Sequence, residues 1–572
     1  MIQVSNEFKK AIKEPERRIK GYVEMLYDLP SVTVTATAAM SSWYTDISEI
    51  CNGNRVVNLY GSEDYLPLDG SLLVMGDENI NSGYITKRRY ENLSNPRITL
   101  TFEETTIKGI TMYFRTNIPT DLTINYSDGT TKTIQDNHNE RIQVIFDVPK
   151  ALTSVEININ NVEHPERALY INEIDLGITD VYKDQNLIEF TVDEEVNKLV
   201  EEVPTNETNI ILNNMSNLFN PLNPSGIVPY LSENTIIKPY IGVLTDGRGI
   251  EYVKMGEFYF DSYTNNSDAT TTLVGKNIIK NLEKEVLKDD NKSIFFKTAM
   301  TQTDFTNFMG NYDYIINNIN WTHGVPSVAV KSDKLLDFLK DMTFGQWNIM
   351  YADRDNKLNF SAINNTIKDN ITKSELINDA EYKQIEKINT VRLYVDRTGS
   401  SKQVTNREVL KQNVNLTKAD EIFLIQSVSP QLALATLSYS GGTSATIISQ
   451  GIYMAFVEVT GDVGDTVTLT FSSDKDYDPY RDTQTKSLNI TPEVVLEFDS
   501  FMNYNPLQYL TNSNILAITP SYEMRFDYNG DPSLEAGDYI NVETPYGYKK
   551  LFIQKNRFKF DGGLEGSVEG VE

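Results

Sequence analysis

Apolar and polar residues alternate in short runs along most of the chain. The run from Phe102 to Ile134 is the clearest, because it alternates with period two and is interrupted by Pro119 and by the Asp128–Gly129 pair. Alternation of this kind is typical of strands with one buried face, and Asp-Gly between two such runs favours a hairpin turn. The pattern returns in Arg141–Val148 and Ser154–Asn160. We therefore predict a chain built mainly of antiparallel strands.

Helical periodicity is confined to short segments. Asn6 to Ile12 has an amphipathic pattern that Pro15 ends. Lys276–Leu287 and Asp333–Met342 also place apolar residues three and four positions apart, with Asp333 as a candidate N-cap. The predicted fold class is mainly β with short helices, in a multi-domain β and α+β arrangement.

Turn residues define several strand pairs. Arg18–Tyr27 is the first candidate strand, and a Gly-rich turn separates the candidate strands Ile236–Leu244 and Ile250–Tyr263. Asp353–Asn356 is the turn of a further predicted hairpin. Asn529–Gly530 lies in a β context, which also favours a hairpin turn.

A length of 572 residues corresponds to three to five domains. Seven or eight short strands in the block 32–171 suggest a sandwich or jelly roll, and the ends of this block lie between candidate strands of another unit. We therefore predict one split unit, 1–31 with 172–290, that carries 32–171 as an insertion. A second split unit, 291–403 with 515–572, carries a β-rich insertion at 404–514.

The charge balance limits the possible partners. Acidic residues outnumber basic ones 80 to 52, which gives a net charge of −28. A phosphate-binding surface normally needs basic residues, so the balance argues against specific nucleic-acid binding, although a local basic patch remains open. No apolar run approaches the length of a membrane span, and the first residues lack the pattern of a secretory signal, so we expect synthesis in a cytoplasm.

Catalytic and cofactor signatures are missing from the sequence. It contains no Walker loop, dinucleotide-binding glycine motif, HExxH or G-x-S-x-G elbow. Cys51 is the single cysteine, which rules out an intrachain disulfide and a Cys-based metal centre. A glycosidase-type carboxylate pair cannot be chosen among 80 acidic residues. We therefore expect a non-enzymatic protein without metal or cofactor.

Several local patterns admit two interpretations. Asp474–Asp478 has oxygen ligands at alternate positions, as in a calcium loop, but Pro479 and Thr485 replace the required glycine and glutamate, which favours a solvated acidic loop. His164 is best explained as a turn residue. Trp321 and Trp347 lie in strand-like runs, which favours burial in the core over stacking on sugars.

Four stretches, in this order, resemble a family of phage and prophage tail proteins from low-GC Gram-positive hosts. They are the opening segment 5–28, the segment 163–182, the run 213–263 with its F-x-P-x-N-P connector, and the C-terminal segment 530–570. The resemblance covers most of the chain except about Val404 to Asn514.

The resemblance implies a structural protein of a tail tip or baseplate, similar to the central hubs of phage tails and related injection devices. Such hubs are usually trimers of paired β-barrel domains, so both split units are expected to be hub-like. Implied partners are further copies of the chain and the tube, distal tail, spike or tape-measure proteins. The implied location is the virion or a related particle. An acidic lumen would let DNA pass without binding it.

The inserted block 32–171 then resembles a galactose-binding-like jelly roll. Its early loop-rich half contains Trp43, Tyr44, Arg88 and Arg89, which are candidate residues for binding host-wall saccharide. Structural docking is the alternative role of this block. Two other functions of the whole chain remain open, a peripheral receptor-binding adhesin and a tail-associated wall-degrading enzyme.

Overall fold

The computed structural model describes residues 2–27, 33–38, 73–75, 97–115, 117–164, 169–197, 203–223, 226–245, 249–266, 269–286, 301–310, 312, 314, 316–319, 334–346, 349–427, 432, 435–450, 454–500, 520 and 522–572. These residues form 31 strands and four short α-helices. The prediction of a mainly β chain with several sheets and few helices is confirmed.

Fifteen strands precede residue 280. In chain order they are β1 (Ile19–Leu26), β2 (Thr35–Ala38), β3 (Leu73–Met75), β4 (Arg97–Arg115), β5 (Pro119–Tyr126), β6 (Thr131–Ile134), β7 (Arg141–Val162), β8 (Leu169–Asp175), β9 (Thr179–Lys183), β10 (Leu187–Glu195), β11 (Glu207–Asn213), β12 (Ile236–Thr245), β13 (Gly249–Lys254), β14 (Phe258–Asn265) and β15 (Thr270–Lys276).

Sixteen strands follow. They are β16 (Ile316–Ile319), β17 (Ile349–Ala352), β18 (Leu358–Ser361), β19 (Ile367–Ile371), β20 (Glu381–Gln384), β21 (Thr390–Asn415), β22 (Asp420–Gln426), β23 (Thr436–Ser440), β24 (Ser444–Gln450), β25 (Met454–Thr460), β26 (Thr466–Ser487), β27 (Val495–Ser500), β28 (Tyr522–Tyr528), β29 (Tyr539–Thr544), β30 (Gly547–Phe560) and β31 (Leu564–Val571).

The largest sheet has 14 strands and joins the two ends of the chain. Its main path is β20-β28-β31-β30-β10-β11-β15-β14-β12-β1-β9, with β13 on β12, β29 on β30 and β19 on β29. The long strand β30 is shared, because its first half pairs with β29 and its second half with β10. Strands from residues 19–276 and from residues 367–571 therefore belong to one hydrogen-bonded sheet.

The strands between residues 35 and 175 form a separate seven-stranded sheet, ordered β3-β8-β4-β7-β5-β6 with β2 on β4. Its alternating residues fill a core of their own, which includes Leu100, Ile124 and Ile157. The chain leaves the large sheet after β1 and returns to it in β9, and these two strands pair antiparallel. The Tyr27 N–H donates to the Ile178 carbonyl at 2.8 Å, so both ends of this segment lie side by side.

A long two-stranded ribbon dominates the segment 390–500. Strands β21 and β26 pair from Thr390↔Ser487 to Asn415↔Thr466. At its far end, a sheet of β22, β24 and β25 packs on β21, β23 and β26 around Val457 and Phe471. The predicted boundary between residues 403 and 404 falls inside β21, and the boundary between 171 and 172 falls inside β8.

The helices are α1 (Asn6–Lys13), α2 (Ile279–Lys284), α3 (Gln302–Met309) and α4 (Leu335–Gln346). In α1 the Ser5 hydroxyl accepts from the Phe8 N–H at 2.9 Å, and Phe8, Ala11 and Ile12 are buried. Burying Phe8 and Ile12 stabilises this docking by about 1.5–3 kcal/mol each. The amphipathic helix predicted before Pro15 is confirmed.

The other two predicted helices exist with different bounds. The N-terminal part of Lys276–Leu287 is not helical, because Lys276 still pairs in β15, and α2 begins only at Ile279. Helix α4 continues beyond Met342 to Gln346, while its candidate N-cap Asp333 lies outside the described residues.

The predicted turns at 128–129 and 353–356 are confirmed by the pairs β5–β6 and β17–β18, and the strands predicted on either side of 245–249 pair as β12–β13. The hairpin predicted at Asn529–Gly530 is wrong. Strand β28 ends there and pairs with β20 and β31, not with β29, because residues 529–538 form a buried connection instead. Asp474–Asp478 is also not a loop, since these residues lie within β26, with Asp476 opposite Lys402.

Candidate functional site

The first contact between the chain's distant segments lies along β10 and β30. Asp193 stands opposite Arg557 and Glu195 opposite Lys555 in the antiparallel register. Their charged atoms are 3.7 Å and 3.6 Å apart. Opposite charges on facing positions favour this register over its neighbours, although such exposed pairs contribute at most about 1 kcal/mol each.

The second contact between distant segments is made by the buried side chain of Arg354, a residue of the turn between β17 and β18. The turn is closed by the Asn356 N–H, which donates to the Asp353 carbonyl at 2.8 Å, and Asn356 adopts the left-handed conformation with φ 60°. Asn tolerates that conformation better than most residues. The Asn356 side chain also accepts from the Ile278 N–H at 2.8 Å, which holds the turn against the segment after β15.

Arg354 joins three parts of the fold. Its Nε donates to Glu194 of β10 at 2.5 Å, and one terminal nitrogen donates to the Leu534 carbonyl at 2.9 Å. The other donates to the Pro532 carbonyl, and the guanidinium lies over the ring of Phe558. We call this set of contacts the Arg354 junction. It connects β10, the β17–β18 turn and the connection before β29.

The electrostatics of the Arg354 junction favour a charged guanidinium. Burial lowers the pKa of Arg354, but the carboxylates of Glu194 and Glu535 outweigh this effect and leave that pKa above its ordinary value. Burial raises the pKa of Glu194, and the attraction of Arg354 only partly opposes it. Each charge is therefore stable in this position mainly because the other is present.

The N-terminal segment closes over the same end of the fold. Arg17 donates to the carbonyls of Asn529, Gly530 and Leu564, the latter two at 3.0 Å and 2.7 Å. Lys13 pairs with Asp369 at 2.7 Å. These contacts hold α1 and its following turn against segments that lie 356 to 547 residues later in the chain.

The base of the segment 35–175 is fixed by buried and partly buried hydrogen bonds centred on Thr179. Its carbonyl accepts from Tyr113, Arg141 and Gln143 at 3.1, 2.8 and 3.2 Å. Its hydroxyl donates to Asp175 at 2.9 Å. Because these bonds join β4 and β7 of the seven-stranded sheet to β9 of the large sheet, they favour one orientation of the first sheet on the second.

A cleft of about 500 Å³ separates the β17–β18 hairpin from the loop 535–538. Its lining includes Ile349, Tyr351, Lys368, Glu535 and Asp538. Among the described residues, the lining mixes one cation with two carboxylates and includes the hydroxyl group of Ser361, and it contains no histidine or cysteine.

The sequence-predicted saccharide residues Trp43, Tyr44, Arg88 and Arg89 lie outside the described residues, as do Cys51, Trp321 and Trp347. His164 makes a structural contact, because its backbone exchanges hydrogen bonds with the Asn117 side chain. Among the described residues, no group of three His, Cys, Asp or Glu side chains is placed to hold a metal ion. In the same part of the chain, no helix is long and apolar enough to span a bilayer.

Sequence reasoning did not find Arg354, Glu194, Arg17 or Thr179. Arg354 carried no signal, because an arginine in a predicted tight turn is unusual only if it is buried, and burial is not visible in a turn sequence. Glu194 stands within the acidic run 193–195, where alternation turns one carboxylate inward and its two neighbours outward. The roles of these four residues become visible only from their contacts with residues that are distant in sequence.

No protein-family model matches the sequence, and no curated protein matches it either. Three solved structures that resemble the chain are tail proteins. The 43 kDa tail protein of prophage MuSo2 from Shewanella oneidensis has 8% identity and a TM-score of 0.39, over 69% of this chain and 96% of that one. A tail protein from Neisseria meningitidis has 8% identity and a TM-score of 0.36, over 68% and 93%.

The third is prophage tail protein gp18 from Listeria monocytogenes, with 9% identity and a TM-score of 0.34, over 68% of this chain and 91% of that one. At TM-scores below 0.5 and identities below 10%, these similarities do not establish a shared fold or function.

Arg354→Met tests the Arg354 junction. We expect a loss of about 3–5 kcal/mol in the free energy of unfolding, because Glu194 remains buried without its cation. The control is Lys357→Met in the same turn, whose ion pair with Asp355 at 3.8 Å is partly exposed and contributes less than about 1 kcal/mol. Urea unfolding measures both, and equal losses would contradict the assignment.

Asp531→Asn tests the pH dependence of the buried carboxyl groups. Burial raises the pKa of Asp180, Asp193, Glu194 and Asp531 above their ordinary values. A pKa that is higher in the folded than in the unfolded state means that the native state binds protons more readily. Protonation of such a carboxyl group therefore stabilises the fold at low pH, and this stabilisation is lost as the pH rises through the folded pKa. We therefore expect thermal stability to increase when the pH falls from 7 towards 5.

Asn at position 531 keeps an oxygen that accepts from the Ser533 N–H and hydroxyl, which Asp531 accepts at 2.9 and 2.7 Å. The variant is expected to melt at the same or a higher temperature at pH 7 and to show a smaller increase at pH 5. Asp527→Asn, at an exposed position of β28, is the control. A pH profile of Asp531→Asn identical to that of the wild type would refute this explanation.

Proposed function

We propose that this chain is a structural protein of a phage tail tip or baseplate, and that it acts there as the central hub. In this role it closes or continues the tail tube and links it to the puncturing or adhesion apparatus. The observation that carries the proposal is the 14-stranded sheet, which both ends of the chain build together while the segment 35–175 forms its own sheet on it. A rigid core with modules mounted on its loops suits a hub.

The four sequence stretches described above also support the proposal. Three of them lie on this sheet and its connections, and segment 163–182 joins β8 of the seven-stranded sheet to β9 of the large sheet. Segment 5–28 contains α1 and β1, and segment 530–570 contains β29, β30 and most of β31. The run 213–263 contains β12, β13 and most of β14. We propose that the two split units are hub-like β-barrels, with a galactose-binding-like jelly roll at 32–171 and a second β-rich module at 404–514.

In the proposed assembly the chain is a homotrimer that contacts tube, distal tail, spike or tape-measure proteins in the virion. DNA or an effector passes along the axis without specific binding. The net charge of −28 supports this part, because an acidic lumen repels DNA. The protein has no catalytic role in this proposal.

Electron microscopy with immunogold labelling tests the proposed position. Antibodies against the chain are expected to label purified particles at the tail tip, on the particle axis. Labelling confined to the periphery would instead identify an adhesin, and absence of the chain from intact particles would refute the proposal. A zymogram on purified cell wall distinguishes the third alternative, a wall-degrading enzyme, which would produce a clearing zone.

Recognition of host-wall saccharide by the inserted module is the second candidate function. The observation that favours it is the rigid base around Thr179, which would transmit a binding event at the module to the core. The candidate residues are Trp43, Tyr44, Arg88 and Arg89. If they bind saccharide, Trp43→Ala and Arg88→Ala in the full chain should weaken binding to purified Gram-positive cell wall by at least about tenfold.

Tyr546→Ala is the matched control for this binding experiment, because it removes an exposed aromatic ring from a different part of the chain. If the wild-type chain does not bind the wall, or if all three variants bind equally, the module serves structural docking only.

A further inference from the structure

The cleft between the β17–β18 hairpin and the loop 535–538 has walls that are fixed by their own hydrogen bonds. In the loop, the Glu535 N–H donates to the Asp538 carboxylate at 3.1 Å. The Gly537 N–H donates to the Ile553 carbonyl of β30 at 2.8 Å. The volume of about 500 Å³ is typical of small-molecule sites. A ligand that enters this cleft therefore meets a preformed site, which lowers the entropy cost of binding.

One lysine side chain reaches the cleft from a third element. Lys368 belongs to β19, which pairs in parallel with β29. The register passes from Ile367↔Tyr539 directly to Asp369↔Ile540, so Lys368 is an extra residue without an opposite number in β29. A bulge of this kind redirects the side chain of the extra residue. Among the described residues, no carboxylate lies close enough to Lys368 to form an ion pair with it.

The negative charges of the cleft surround the hydroxyl group of Tyr351. Burial raises the pKa of Tyr351, a hydrogen bond with Ser361 opposes this effect, and the negative charges of Glu535 and Asp538 raise that pKa further. Both carboxylates also favour the charged form of Arg354, which is already paired with Glu194. The cleft therefore presents a positive group on β19 and a negative region at the loop, as two separate features.

We propose that this cleft binds a short zwitterionic peptide, with the peptide carboxylate on Lys368 and its ammonium group on Glu535 and Asp538. Charge complementarity argues for this ligand. A simple anion would leave the two carboxylates unused and would be repelled by them, and a simple amine would be repelled by Lys368. Ile319 and Ile349 also line the cleft and offer apolar contacts to the rest of the peptide.

This binding activity goes beyond the proposed structural role and does not depend on it. Two sources supply peptides with both charges, the free end of a neighbouring protein chain and a peptide of a bacterial cell wall. The two differ in chirality, because cell-wall peptides contain D-alanine. A ligand series that varies the end charges and the chirality therefore tests the chemistry and the source together.

Isothermal titration calorimetry of the purified full chain with trialanine tests the proposal. We expect binding with a Kd of about 1 mM or tighter. N-acetyl-trialanine lacks the ammonium group and trialanine amide lacks the carboxylate, so each should bind at least about fivefold more weakly. Tighter binding of L-Ala-D-Ala-D-Ala than of the all-L peptide assigns the ligand to the cell wall, and the reverse order assigns it to a protein terminus.

Substitutions in the cleft identify the two charged ends. Lys368→Ala should weaken trialanine binding at least about fivefold, whereas Lys368→Arg should retain it. Lys373→Ala is the matched control, because Lys373 is an exposed lysine in the short turn after β19. Glu535→Gln should weaken the binding of trialanine but leave the binding of N-acetyl-trialanine unchanged. Thermal melting verifies that each variant folds.

Three results would overturn the proposal. They are no detectable binding of trialanine at about 10 mM, blocked peptides that bind as tightly as trialanine, and equal losses in Lys368→Ala and Lys373→Ala. Sodium acetate that binds as tightly as trialanine would also contradict it and would assign the cleft to simple anions. The titration uses purified protein, so its outcome is independent of where the chain is labelled in the particle.

Discussion

The buried contact between Arg354 and Glu194 fixes how three distant segments of this chain meet. A guanidinium and a carboxylate are unstable in a protein interior unless each neutralises the other and the remaining donors are used. Here they meet only when the β17–β18 turn, β10 and the connection before β29 are all in place. The contact is therefore specific for one assembly of three segments, whereas apolar packing alone would tolerate several.

That specificity matters because the core is discontinuous in sequence. Strand β10 lies in the first third of the chain, and its partner β30 lies near the end. Between these two strands, parts of the chain, including the long β21–β26 ribbon, leave the large sheet, and the chain then returns to it. A core of this kind provides fixed mounting points, as the hydrogen bonds around Thr179 show for the segment 35–175. The proposed hub role depends on that rigidity.

Much of the architecture could be predicted from local patterns. Period-two alternation identified the strands, and Pro15 and the Asp128–Gly129 pair marked a helix end and a hairpin, because these signals act over a few residues. The wrong predictions arise because the same signals act over only a few residues. At Asn529–Gly530 the local signal favoured a hairpin, but buried contacts to Arg17 and Arg354 carry the chain along a different path.

The candidate site was less predictable than the fold. Arg354, Glu194 and Thr179 obtain their roles mainly from partners 36 to 180 residues away in sequence, which no local pattern encodes. The uncharged stretch 208–232 is visible in the sequence, but only the structure shows that Met215 and Leu222 are exposed on a backbone fixed by hydrogen bonds.

Native-state hydrogen exchange tests most directly whether the discontinuous core is one unit. If it is, amides of β10, β30 and the β17–β18 hairpin should exchange with the same free energy of opening and the same dependence on denaturant. Amides of β5 and β6 belong to the separate sheet and should exchange with a different free energy of opening. Independent opening of β10 and β30 would contradict a single core built from both ends of the chain.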